Sequence, residues 1–174
     1  GETAGDDLEK NISINGLAPL VTIQRCALGS EDGTISFTVG RDTMNRIAEP
    51  EDTAVREVPV ARLDGVLGKL PETSPLRLIK MDVEGGEAGV VCGGQQTLDD
   101  PNLIAVISES SEPYVVDELT RRGFRRAFYD PFRRTLDYET VVYPSQNHIF
   151  VRDGSDCAAR LRDAPPISVM GQKI

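Results

Sequence analysis

Two apolar segments, "PLRLIKMDV" (75–83) and "NLIAVISES" (102–110), flank a stretch with helical spacing that opens on two glycines and an acid. Strand, helix, strand at this separation is a βαβ unit, because two parallel strands need a crossover of a dozen or more residues. The chain is therefore expected to be α/β. With 174 residues it can bury one real core, and a single domain over 1–153 with a tail over 154–174 is the expectation.

The elements around this unit follow from periodicity and punctuation. "DDLEKNISINGL" (6–17) reads as a helix stopping near Gly16, with Leu8, Ile12 and Ile14 as its apolar positions. Alternation over 20–30 predicts a strand, and "GTISFTV" (33–39) a second that could pair with it as a hairpin. Residues 40–57 are polar and irregular and read as a mobile surface loop. "VREVPVA" (55–61) is interrupted by Pro59 and suits an edge strand; Asp64 then stands as an N-cap for a short helix using Leu63, Val66, Leu67 and Leu70. A helix over 113–123 starts at Pro113 and stops at Gly123. Two closing strands, 124–130 and 147–153, are joined by a loop or short hairpin, and the tail with Pro165-Pro166 shows no period and reads as loosely packed or disordered.

Charge and cysteine content narrow the partners. A net charge of -9 repels a phosphate backbone, so nucleic acid is not an expected partner. No apolar run approaches the length of a bilayer span, and no segment has the form of an export signal, so neither membrane insertion nor export is expected. Cys26, Cys92 and Cys157 are odd in number and widely spaced, which suggests neither a disulfide framework nor a zinc site and fits a reducing cytoplasm.

Along the strand ending at Glu84, a period of two puts Leu76, Leu78, Lys80, Asp82 and Glu84 on one side and Ile79, Met81 and Val83 on the other. The polar groups collect at the carboxyl end, where open α/β sheets bind ligands. Gly85-Gly86 permits a sharp turn, and Glu87 falls in the first helical turn, which favours negative charge.

"IKMDVEGGEAGVVCGG" (79–94) resembles the signature of the FkbM-type methyltransferases, in which a strand ends Lys-x-Asp-Val-Glu-Gly-Ala-Glu and a helix follows. Lys80, Asp82, Val83, Glu84, Gly85 and Glu87 match it, with Val90 and Gly93 further on. "NISING" (11–16), "ALGSEDG" (27–33), "RLDGVL" (62–67), "ISE" (107–109) and "NHIF" (147–150) agree in order, so the resemblance covers roughly residues 5 to 152. It implies a Rossmann-like class I methyltransferase sheet, mostly parallel with an antiparallel closing strand, that uses S-adenosylmethionine (SAM) to methylate a hydroxyl of a sugar, glycan or polyketide-type small molecule. The glycine-rich turn and ribose-binding acid that normally open such a sheet do not occur in this sequence, so the resemblance begins just after them and implies an N-terminally truncated domain.

Methyl transfer to a neutral alcohol is helped by a carboxylate that takes the hydroxyl proton. Asp82 is the first candidate, with Glu84, Glu87, Glu109 and Lys80 beside it; Lys80 could pair with Asp82 or Glu109. The resemblance adds Ala27, Leu28 and Asp82 as cofactor contacts and Asn147 as a substrate contact. His148, the single histidine, is a candidate base or substrate contact, although a structural role suits a lone strand histidine better. Converging carboxylates could also hold Mg²⁺, although the spacing demands no metal. Six of the 15 arginines fall within 121–134 and could receive an anionic acceptor, or form a solvated helix end and loop. The competing class is a non-catalytic fragment or degenerate homologue serving as an interaction module, whose exposed strand edges would favour self-association into a homo-oligomer.

Overall fold

A computed structural model of the protein describes residues 4–39, 48–70, 75–83, 85–141, 146–152, 154–166, 168–169 and 172–173. Two compact units are formed: Gly1–Ala27 with Glu31–Ala61, and Leu28–Ser30 with Arg62–Ile174.

In the first unit, helix α1 (Ala4–Ile14) has Asp6 and Asp7 in its first turn, where the macrodipole favours acids. Its end is built by Gly16, whose φ of 67° suits glycine: Gly16 N–H donates to Ser13 O and Leu17 N–H to Ile12 O, the paired bonds of a Schellman stop. Of the three expected apolar positions only Ile12 is buried. Arg25 reaches back to Asp6 at 2.9 Å and Glu9 at 2.8 Å.

The strand expected over 20–30 shrinks to β1 (Ala27–Leu28), preceded by a 3-10 turn at Ala18–Leu20. Alternation alone does not make a strand where no neighbour supplies the ladder bonds. β2 (Gly33–Thr38) pairs antiparallel with β3 (Val55–Ala61), not with β1, and β3 lies between the other two. The expected hairpin between strands 20–30 and 33–39 and the edge position of β3 are thus corrected. Pro59 is tolerated because β1 is two residues long and leaves most of that side of the seven-residue β3 unpaired. Of the expected 40–57 loop, 40–47 lie outside the described residues and 55–57 belong to β3.

In the second unit a five-stranded sheet has the order β4 (Leu78–Met81), β5 (Ala105–Ser108), β8 (His148–Val151), β6 (Arg125–Asp130), β7 (Thr135–Asp137). β4 and β5 are parallel, which bears out the βαβ unit. β8 is antiparallel to both β5 and β6, and β7 returns along β6 as a hairpin. The sheet is therefore mixed rather than mostly parallel: β4, β5 and β6 share a direction, and the reversed β8 is inserted between β5 and β6 instead of closing an edge.

Helices cover one face. α2 (Leu63–Leu67), α3 (Glu87–Gly93), α4 (Gln95–Asp99) and α5 (Pro113–Arg121) bring Leu63, Val90, Val91, Leu98, Val115 and Leu119 onto Met81, Val106 and Phe150. The two glycines at the end of α3, unfavourable by helix propensity, are explained by contact: a Cβ on Gly93 would strike the carbonyl oxygen of Gly29, and one on the following Gly94 would lie 2.9 Å from Leu63 Cδ2. Gly94 also separates α3 from α4, so the expected single helix is two.

Asp64 does not cap its own helix. Its carboxylate accepts from Gln96 N–H (3.2 Å), Thr97 N–H (2.9 Å) and Thr97 Oγ1 (2.8 Å), so it caps α4 from α2. After α5, Gly123 at φ 83° repeats the stop seen at Gly16, with Phe124 N–H donating to Leu119 O. The described residues of the tail are ordered into elements: Gly154–Asp163 forms α6, Arg134 donates to Ala164 O and Pro165 O, and β9 (Ser168–Val169) pairs with β10 (Gln172–Lys173). No helix among the described residues is long and apolar enough to cross a membrane.

Candidate active site

The parallel register fixes which residues share the carboxyl rim of the sheet. Met81 stands opposite Ser108, and Ser108 opposite His148. The next residues outward are Asp82, Glu109 and, because β8 runs the other way, Asn147. Alternation turns Ile79 and Met81 into the helix-covered core and leaves Leu78, Lys80 and Asp82 exposed, as the period of two requires.

Lys80 joins the acids. Its Nζ donates to Asp82 Oδ2 at 3.0 Å and lies 3.7 Å from Glu109 Oε1. Asp82 and then Glu109 raise the Lys80 pKa above the usual lysine range. With side chains 43% and 51% exposed, the Lys80–Asp82 pair is screened by solvent and adds little to stability. It fixes the orientation of Asp82 instead. Asp82 Oδ1 receives no hydrogen bond from the described residues and remains available as an acceptor.

Beyond Asp82 the backbone turns sharply: Gly85 takes φ 91°, and Gly86 N–H closes the turn on Val83 O at 3.2 Å. Glu84 lies outside the described residues. Glu87 opens α3 at 2% exposure, and its Oε2 meets no donor among the described residues. A buried carboxylate oxygen without a donor is uncommon in a folded chain and marks a place where a ligand group can complete the bonding.

Asn147 precedes β8 and His148 opens it, both half-buried. His148 Nδ1 lies 2.7 Å from Arg126 Nη2. A guanidinium can only donate, so Nδ1 accepts and the neutral ring carries its proton on Nε2. Burial first, and the Arg126 charge second, lower the His148 pKa below the usual histidine range. The sequence grouped Arg126 with five other arginines, as an anion-receiving or solvated cluster, and gave no sign of its contact with His148.

The two expected cofactor contacts differ. Ala27 belongs to β1 in the first unit, whereas the Leu28 side chain packs against the core of the second. Among the described residues no group of three or more acids, histidines or cysteines is arranged to hold a metal ion.

The architecture is a mixed α/β sheet with a lysine-paired carboxylate at the carboxyl rim of two parallel strands. The sequence places it more narrowly: the family model described as "Methyltransferase FkbM domain" matches residues 7–126, and the chain belongs to that family of methyltransferases. No curated protein and no solved structure matches the chain.

Proposed function

We propose that the protein is a SAM-dependent O-methyltransferase acting on a hydroxyl of a sugar, glycan or polyketide-type small molecule, with Asp82 as general base. The observation that carries this reading is Asp82 itself, held through Oδ2 by Lys80 and open at Oδ1, at the carboxyl rim of β4 and β5 in an FkbM-family chain. The shared direction of β4, β5 and β6 supports assigning the sheet to a Rossmann-like class I methyltransferase fold.

The charges at the rim suit a sulfonium cofactor, since two carboxylates face one ammonium. Asp82 and the segment at Leu28 would hold SAM, which when bound supplies an electrophilic methyl group. The chain's own residues then do the rest. Lys80 and Glu109 hold Asp82 in place, and Asp82 Oδ1 aligns the acceptor hydroxyl and takes its proton as the oxygen–methyl bond forms. Glu87 offers Oε2 to a donor that binding brings, and Asn147 positions the acceptor. The absence of disulfides among Cys26, Cys92 and Cys157 accords with a cytoplasmic enzyme.

A second reading, the interaction module, draws on Leu78, which is 51% exposed on β4 at the end of the strand order. The two readings separate on one experiment: transfer of a labelled methyl group from SAM to a panel of hydroxylated small molecules, by wild type and Asp82→Asn. Turnover lost in Asp82→Asn is the expected result; absence of turnover together with sedimentation as a stable oligomer favours the module.

A further inference from the structure

The six arginines of 121–134 sort into distinct environments. Arg121 and Arg122 pair with Glu118, and Arg122 also with Asp99. Arg133 lies 3.8 Å from Asp130, Arg134 donates to backbone carbonyls, and Arg125 lies over the Tyr138 ring at 4.7 Å. Arg126 is different: it is exposed, faces no carboxylate among the described residues, and is held by a neutral imidazole nitrogen. The ring of Phe128 lies 5.5 Å from the guanidinium carbon.

Its position is set by the sheet. Arg126 stands opposite Phe150 on β8, two residues from His148, and His148 stands opposite Ser108 at the rim that carries Asp82 and Glu109. What Arg126 and His148 present together is donors: the remaining guanidinium N–H groups and the Nε2–H fixed by the bond at Nδ1. A cluster of donors with no acid to satisfy it, in a chain of net charge -9, matches an anionic oxygen carried by a ligand.

We infer that Arg126 and His148 form a binding site for an anionic oxygen of a small ligand, a phosphate or a sugar carboxylate. The register places this pair on the helix-covered face with Met81 and Phe150, whereas Lys80 and Asp82 project from the other face, so the binding is independent of the methyltransferase reading. Phe128 gives the ligand an apolar wall.

The single histidine makes the test direct. At pH 8 and constant ionic strength, the His148 Hε1 NMR resonance is followed during titration with inorganic phosphate, glucose 6-phosphate, glucuronate and glucose. Saturable shifts with an anion but not with glucose are expected in wild type and in Arg133→Gln, with binding at least ten-fold weaker in Arg126→Gln and intermediate in Arg126→Lys. Response to the phosphates alone identifies a phosphorylated ligand, and response to glucuronate alone an acidic sugar. No saturable shift with any anion, an equal response to glucose, or unchanged binding in a folded Arg126→Gln overturns the subsite. Failure of the methyltransferase reading shows separately, as absence of SAM binding in calorimetry.

Discussion

Lys80 Nζ sits 3.0 Å from Asp82 Oδ2, two residues along the same strand side, and leaves Asp82 Oδ1 without a partner among the described residues. The arrangement separates orientation from reactivity, one oxygen being held and the other open. Asp82→Asn should therefore lower kcat by about 10²- to 10⁴-fold, the usual contribution of a positioned acid or base. Because the side chain is half exposed, thermal unfolding should be nearly unchanged. Methyl-transfer kinetics beside a melting curve check both halves.

Glu118 is held by Arg121 and Arg122, the latter guanidinium only 4% exposed, and these hydrogen bonds lower the Glu118 pKa to about 2. A depressed carboxylate contributes stability that is fully present above its ordinary pKa near 4.5 and is lost as pH falls through about 2. Glu118→Gln should cost about 2 kcal/mol at pH 7, in the range for bonds to charged groups. Urea unfolding from pH 7 to pH 2 should show the gap between wild type and variant closing at the acid end.

His148 should titrate below 6.5, since burial and then Arg126 both oppose its charge. The bond from Arg126 to Nδ1 is present while the ring is neutral, and its contribution is lost as pH falls through the folded pKa. In Arg126→Gln the pKa should rise toward the ordinary value without reaching it, because burial remains. An NMR titration of Hε1 reads this directly.

Gly89 and Gly93 lie one turn apart on α3 and should respond oppositely to alanine. A Cβ at Gly89 would sit 3.6 Å from Gly29 Cα, an ordinary contact, so Gly89→Ala should be neutral or gain up to about 1 kcal/mol from helix propensity. A Cβ at Gly93 would collide with the Gly29 carbonyl, so Gly93→Ala should lose about 1–3 kcal/mol as overpacking does. Denaturant midpoints of the two variants settle the contrast.

The βαβ unit, α1 and α5 with their glycine stops, and the strands on either side of the 131–146 segment were legible because each carries its period and its punctuation in neighbouring residues. What was not legible depended on distant partners. β1 needed a neighbour that local alternation cannot reveal, and Asp64 has the right residue type for a cap but serves a helix some thirty positions away. The pairing of Lys80 with both Asp82 and Glu109 could be anticipated, since a parallel β4–β5 register brings them together. The place of Arg126 beside His148 could not, because it follows from β8 being reversed between β5 and β6.

The central claim is that the acids at this rim serve methyl transfer, and the most direct measurement is a calorimetric titration of SAM into the protein expressed in its native reading frame. The account predicts saturable one-to-one binding that weakens in Asp82→Asn. No binding by a folded wild-type protein would contradict it.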